Sequence, residues 1–410
     1  MSYAALSHCW GRAPQPLVLT SENITGLLRG IQTNLLPQTF QDAIALCRKL
    51  SISLLWIDSL CIIQKGDEHV QDWQLHVLEM SSIYSKCILC IAANSASDGS
   101  GGLFVNRDAK LYRPIVIDAR AWRSSSENGL SSSTPPDDKI DEATENGLLV
   151  LNVSHINEDL RQCPLSTRAW VFQERFLAPR VLHFGLYQIC YECLNGDLAS
   201  ECFPGGGKIV NLPSLSKRLG PFTFNPSASP DEEWGEIVDF YSRRLLSHNS
   251  DKLPALTGVA RQFAQKNNLT EYLAGFFNSR ALTPLLWNVA EKGQEFQVGE
   301  LGVQPVGAYV APSWSWAAVT VPVKFPNITS NNIVQNHSLA HVQGYECELL
   351  DKANIFGQLS HASMTINAPF CDITFDTNDW SGSNEFGNTH HYTSTLDVAL
   401  QVTRSEPNLK

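Results

Sequence analysis

The strongest constraint on the fold is an alternation of apolar strand-like runs and helix-like periodicity over the first hundred residues. YAALSH (3–8) is a short apolar run. After Pro37, residues Phe40, Ala43, Ile44, Cys47 and Leu50 recur at helical spacing. LLWIDSLCII (54–63) is apolar and partly β-branched, so its beginning reads as a buried strand. Trp73, Val77, Met80 and Tyr84 then mark one face of a second helix, and CILCIAA (87–93) is a further buried strand ended by the glycine-rich SDGSGG (97–102). Strand, helix, strand, helix, strand in this order predicts a parallel sheet with helices on its faces, because parallel neighbours need a crossover.

Further along the pattern changes twice. Residues 124–145 (SSSENGLSSSTPPDDKIDEATE) are polar, Ser/Pro-rich and acidic, and are expected to form a flexible insertion. GLLVLNV (147–153) returns to strand character, STRAWVFQERF (166–176) predicts a helix with Ser166 or Thr167 as its N-cap, and RVLHFG (180–185) with YQICYEC (187–193) predicts a β-hairpin. The Gly/Pro/Ser/Asn-rich stretch 203–232 marks an internal linker. The expected division is an α/β domain over 1–202, this linker, and a mixed α+β extension over 233–410. Trp234, Ile237, Val238, Tyr241 and Leu245 give that extension an amphipathic helix, and DKLPALTGVARQFAQ (251–265) a second.

With 410 residues, ten Trp and eighteen Phe, the chain has enough apolar material for a sizeable core. A net charge of -11 argues against a general nucleic-acid or anionic-membrane binder. No run approaches the roughly 18 apolar residues of a membrane span. The start, MSYAALSHCWG, lacks a basic n-region followed by an apolar h-region. The eleven scattered cysteines, an odd number often set in apolar runs, fit a reduced compartment, and a cytoplasmic location is expected. Asn-x-Ser/Thr sequons, as at Asn23 and Asn327, then read as chance matches.

Several short patterns together resemble the heterokaryon incompatibility (HET) domain of fungi. Tyr3-Ala-Ala-Leu-Ser-His-Cys-Trp-Gly11 is similar to its opening motif, and Leu55-Trp-Ile-Asp-Ser-Leu-Cys-Ile-Ile-Gln64 to its second. Met80 and Tyr84 in EMSSIYSKC, Gly102-Leu-Phe104, Arg168-Ala-Trp-Val-Phe-Gln-Glu-Arg175 and Pro179-Arg-Val-Leu-His-Phe184 follow in the same order. The resemblance covers roughly residues 1–193. DKLPALTGVA, YLAGFF, LLW and APSWSWAA resemble the extension that commonly follows such domains. It implies a fungal source and a part in self/non-self recognition with regulated cell death. His8 stands where a tyrosine is common, and no nucleotide-binding or ankyrin-like module follows. HET domains are distantly similar to Toll/interleukin-receptor (TIR) domains, whose sheet is flavodoxin-like and some of which cleave NAD. The resemblance thus implies a flavodoxin- or TIR-like parallel sheet. It aligns Trp170 and Glu174 with the tryptophan and catalytic glutamate of TIR enzymes.

Two readings of Glu174 stay open. A carboxylate beside a ribose would stabilise the oxocarbenium charge that develops when a glycosidic bond breaks. Trp170, four residues earlier, would share its helical face. Alternatively Glu174 pairs with Arg168, Arg175 or Arg180. Asp58, at the carboxyl end of a strand, is a second catalytic candidate, or it accepts backbone N–H groups of the following turn. Ser7, His8, Trp10, Gln64, Arg107 and Trp170 are the candidate substrate-binding residues, Arg107 through a phosphate. Cys61 would need His8 or His183 as base to act as a nucleophile, and otherwise packs in the core. Cys190 and Cys193 with Cys202 and His183 have zinc-like content, but i and i+3 on a strand face opposite ways, so no metal is expected. G-x-S-x-G, H-E-x-x-H, Walker and G-x-G-x-x-G patterns are absent from the sequence, and PGGGK (204–208) reads as a turn. Three functions follow: a cell-death effector acting by association and NAD cleavage, a non-catalytic interaction module, or a small-molecule enzyme of secondary metabolism. NAD enters as a substrate, with no bound cofactor. The expected partners are copies of the chain or other incompatibility proteins.

Overall fold

The computed structural model describes residues 2–12, 17–107, 115–117, 148–150, 158–194, 198–201, 203–207, 229–277, 283–290, 309–325 and 341–367. The expected insertion at 124–145 lies outside these. The chain divides into two compact units, Met1–Phe224 and Asn225–Lys410.

The first unit is built on a seven-stranded sheet of order β2-β1-β3-β6-β7-β8-β9. Its strands are β1 (Ala4–Ser7), β2 (Leu55–Trp56), β3 (Leu89–Ala92), β6 (Arg180–Phe184), β7 (Ile189–Cys193), β8 (Leu198–Ser200) and β9 (Phe203–Gly207). β2, β1, β3 and β6 pair in parallel, and the rest form antiparallel hairpins. The protein is therefore α/β, with a central sheet that is parallel where the early alternation predicted it. β4 (Ile115–Ile117) and β5 (Leu148–Val150) pair separately.

Helices α1 (Ile24–Leu27), α2 (Gln38–Lys49), α3 (Asp58–Cys61), α4 (His69–Lys86) and α5 (Ala169–Leu177) complete this unit. Alternation along each strand decides what they cover. Ala4 and Leu6 of β1 and Leu89 and Ile91 of β3 join Phe40, Ala43 and Cys47 of α2 in one buried cluster. The intervening Ala5, Ser7, Cys90 and Ala92 point to the other face, where α4 presents Val77, Met80 and Tyr84 and packs along α5. Burying one such large apolar side chain contributes about 1.5–3 kcal/mol. Because β1 lies between β2 and β3, the chain reverses its direction across the sheet at β1, a switch point whose carboxyl ends open a crevice.

One local expectation is sharpened and two are corrected. Only Leu55–Trp56 of LLWIDSLCII is a strand, and Asp58 opens the helical turn α3. Ser166 and Thr167 do not cap α5: their hydroxyls donate to the carbonyls of Leu160 and Pro164, at 2.8 and 2.7 Å, within a 3-10 turn. The cap position falls to Arg168. PGGGK is not simply a turn, since Phe203–Gly207 forms β9.

The second unit contains α6 (Pro230–Ser242), started by a Ser229–Glu232 capping box, and α7 (Thr257–Asn267). Small hairpins β10 (Tyr272–Leu273)/β11 (Phe276–Phe277) and β12 (Asn288–Val289)/β13 (Val323–Lys324) accompany a longer one, β14 (His341–Leu349)/β15 (Leu359–Asn367). Its core is aromatic. Trp234 and Trp316 donate their indole N–H groups to the same Gly275 carbonyl, at 2.8 and 2.9 Å. Gly275 has φ +104°, and a Cβ there would lie 2.6 Å from the Trp316 indole nitrogen, so glycine is required on both counts. No helix among the described residues is long and apolar enough to cross a membrane.

Candidate functional site

At the carboxyl ends of β1 and β2 lies an open cleft of about 190 Å³. Trp10 reaches it from the loop after β1, and Asp58, Ile62 and Gln64 from the segment after β2. α4 supplies Trp73, Val77 and Met80, and α5 supplies Arg168, Trp170 and Glu174. Trp73 and Trp170 meet edge to face with centroids 6.3 Å apart. An engineered apolar cavity of about 150 Å³ takes a benzene molecule, so this cleft admits one aromatic ring, with any larger remainder outside.

Glu174 forms no ion pair with an arginine among the described residues. Arg175 turns away from the cleft, donating to Glu192 at 3.0 Å and to the Leu160 carbonyl at 2.8 Å. Arg180 is exposed, and Arg168 donates to the His8 carbonyl at 2.7 Å. The Glu174 residue is 7% exposed, and burial raises its carboxyl to about 7, helped by the negative Asp58. Ser7, Arg168 and Tyr84 oppose that rise without overcoming it. The Ser7 hydroxyl lies close enough to influence Glu174, yet makes no hydrogen bond of ordinary geometry.

Behind α5, Arg175 holds Glu192, which also contacts His183 Nε2 at 3.0 Å. Burial pushes the Glu192 carboxyl up, but Arg175 and His183 outweigh it and leave it lowered. This buried cluster ties α5 to β6 and β7 and so anchors the turn of helix that carries the preceding residue, Glu174.

Asp58 accepts from Trp10 Nε1 at 2.9 Å and from the Ser59 backbone N–H at 2.7 Å. It thus does what the bland reading predicted while still lining the cleft. His8 is buried behind this pair, its Nδ1 3.7 Å from Asp58. Burial lowers its pKa, so its ring is neutral at pH 7.

Of the candidates, Trp10, Asp58, Gln64, Trp170 and Glu174 converge on the cleft, and Ser7 and His8 stand directly behind it. Arg107 does not reach it. Its guanidinium donates to the Gly185 carbonyl at 2.7 Å and faces Glu201 at 3.8 Å, bracing the β6–β7 turn. The cation lining the cleft among the described residues is Arg168, two residues before Trp170, which the sequence offered as a partner of Glu174 and not as a substrate-binding group. Trp73, Val77 and Met80 were visible only as a helix face, which looks the same whether it covers a core or a cleft. The Cys61 thiol is pushed up by burial, which disfavours the thiolate a nucleophile needs, and His183 is engaged with Glu192 and Asn94. Cys190 is buried and Cys193 half-buried on opposite faces of β7. Among the described residues no His, Cys, Asp and Glu cluster could hold a metal ion.

Residues 3–174 match the family described as Heterokaryon incompatibility protein (HET). No match was found among curated proteins or among solved structures. The family match begins at the residue before β1 and ends at Glu174, so it spans every residue that lines the cleft. Residues 3–174 therefore match a heterokaryon incompatibility (HET) domain, and every residue that lines the cleft lies within the match.

Proposed function

We propose that this HET domain is a nucleotide-cleaving effector in heterokaryon incompatibility, acting in the cytoplasm on NAD to trigger cell death. The observation that carries the reading is Glu174. A buried carboxyl with no ion-pair partner among the described residues, its pKa raised to about 7, lines a ring-sized aromatic cleft at the carboxyl ends of parallel strands. The order β2-β1-β3 supports a relation to flavodoxin- and TIR-like sheets, as does the four-residue spacing of Trp170 and Glu174.

The chemistry suits the residues present. A cationic pyridinium ring is attracted to tryptophan faces and to the carboxylates of Asp58 and Glu174, the aromatic contribution being about 0.5–2 kcal/mol. The same positive charge favours the ionised form of Glu174. The ribose C1′–N bond breaks, and its electron pair leaves with neutral nicotinamide, so no acid is needed for departure. The Glu174 carboxylate stabilises the positive sugar. Water forms the new C1′–O bond and releases its proton to Glu174. Arg168, unpaired with any carboxylate among the described residues, is available to the diphosphate on the open side.

The test is release of nicotinamide from NAD by the full chain, compared with Glu174→Gln. Release by the wild type and a loss of about a hundredfold or more in the variant is expected. No release by concentrated wild-type protein, where self-association is favoured, would sink the proposal. The ascending limb of the wild-type pH profile should fall near 7, since the carboxylate is the working form.

A further inference from the structure

The Gln64 amide is locked by two bonds that leave its orientation unambiguous. Nε2 lies 3.3 Å from the Asp58 carbonyl and 3.0 Å from the Ile62 carbonyl. Both partners can only accept, so the amide nitrogen must face them. The carbonyl Oε1 is thereby the free end of a side chain that lines the cleft beside Trp10 and Asp58. Among the described residues no donor meets it.

The backbone under Gln64 is equally fixed. Its N–H donates to the Leu19 carbonyl at 2.8 Å, Leu19 donates to the Ser59 carbonyl at 2.8 Å, and Ser21 donates to the Lys65 carbonyl at 3.1 Å. Gln64 is zipped to residues 19–21 on one side and to α3 on the other. An acceptor placed this rigidly discriminates well, because a ligand without a matching donor leaves it desolvated and unpaired.

We infer that Gln64 reads the ring of the bound nucleotide, accepting a hydrogen bond from an N–H₂ group. This rests on the proposal that the cleft holds a nucleotide, and it adds which feature of the ring is selected. Two rings of NAD carry such a donor: nicotinamide through its carboxamide and adenine through its exocyclic amine. Their acceptor-bearing counterparts are nicotinic acid and hypoxanthine.

The experiment is calorimetric titration of the full-length Glu174→Gln variant, chosen because its turnover is expected to be about a hundredfold or more slower, with two ligand pairs. One is NAD against nicotinic acid adenine dinucleotide, and the other is AMP against IMP. A preference of about tenfold or more for the N–H₂ member of either pair is expected, and the pair that shows it identifies the ring in the cleft. Adding Gln64→Leu, or Gln64→Met if the leucine variant does not fold, should abolish that preference. Equal affinities within both pairs, no binding of any of the four ligands, or a preference that survives the Gln64 substitution would each overturn the inference. If the variant holds NAD with this preference while wild-type protein releases no nicotinamide, ring selection stands and the cleavage reading falls.

Discussion

Glu174 in the first unit and Lys252 in the second are both ionisable groups buried almost completely, at 7% and 6% exposure, yet the two sites differ in kind. Lys252 is enclosed by groups that satisfy an ammonium. It donates to the Val319 carbonyl and stands 5.5 Å from the centre of the Trp316 ring. Burial lowers its pKa to about 8. Glu174 is buried as deeply, with Ser7, Tyr84 and Arg168 near its carboxyl, but it also lines an open cleft. The difference teaches how to separate a tolerated buried charge from one kept for chemistry. A structural group has its partners within the fold, whereas Glu174 forms no ion pair among the described residues and faces a space a ligand can enter.

The comparison can be broken most forcefully at Trp316. Trp316→Ala removes a fully buried indole, and should cost about 3–5 kcal/mol, read by denaturant unfolding. Lys252 loses its aromatic face in the same step, so an unchanged stability would mean that this enclosure counts for nothing.

The next largest effect is a pH trend. The Glu174 carboxyl keeps its proton up to about 7, while in the unfolded chain it releases it near 4.5. The folded state is therefore favoured fully below pH 4.5, and that advantage disappears as pH rises through 7. It amounts to about 3 kcal/mol, at about 1.4 kcal/mol per unit. Glu174→Gln should flatten this slope between pH 5 and 8. A slope unchanged by the substitution would place the titrating group elsewhere.

Lys252 should show the opposite sign. Its folded pKa of about 8 lies below the ordinary 10.5, so its contribution is present above pH 10.5 and lost as pH falls through 8. The Val319 carbonyl and Trp316 favour the ammonium and reduce the net cost, so Lys252→Met should stabilise by about 1–2 kcal/mol at pH 7. Destabilisation by Lys252→Met would show that the enclosure outweighs desolvation altogether. A destabilisation of similar size belongs to Asp58→Ala, which removes the acceptor of the Trp10 indole N–H and the Ser59 N–H and should cost about 1–2 kcal/mol. If stability is unchanged while ligand binding falls, Asp58 acts through the cleft alone.

The parallel part of the sheet was legible because strands buried on both faces read as continuous apolar runs, as in CILCIAA. The β6–β7 hairpin was legible as two strand-like runs, RVLHF and ICYEC, separated by a short interruption that begins at Gly185. Trp10, Asp58, Gln64, Trp170 and Glu174 were named from the sequence because each lies in a motif, and all five line the cleft. Arg168 and Arg107 were not told apart, because which carbonyl a guanidinium meets depends on tertiary folding. Trp73 was hidden for a similar reason: a helical stripe reports that a face is covered, not whether the cover is complete. The α5 cap was misplaced because Ser166 and Thr167 bond backward into a 3-10 turn, a competition that composition does not reveal.

The Gly275 carbonyl has its own consequence. One oxygen holds two indoles, so Trp234 and Trp316 are thermodynamically a single device. Losing either leaves the other bonded to a carbonyl with a vacant second lone pair. Losing both need not double the damage, and a double-mutant cycle would report strong coupling. Any sequence change at one tryptophan therefore alters what is tolerated at the other, although 82 positions separate them along the chain (316 less 234).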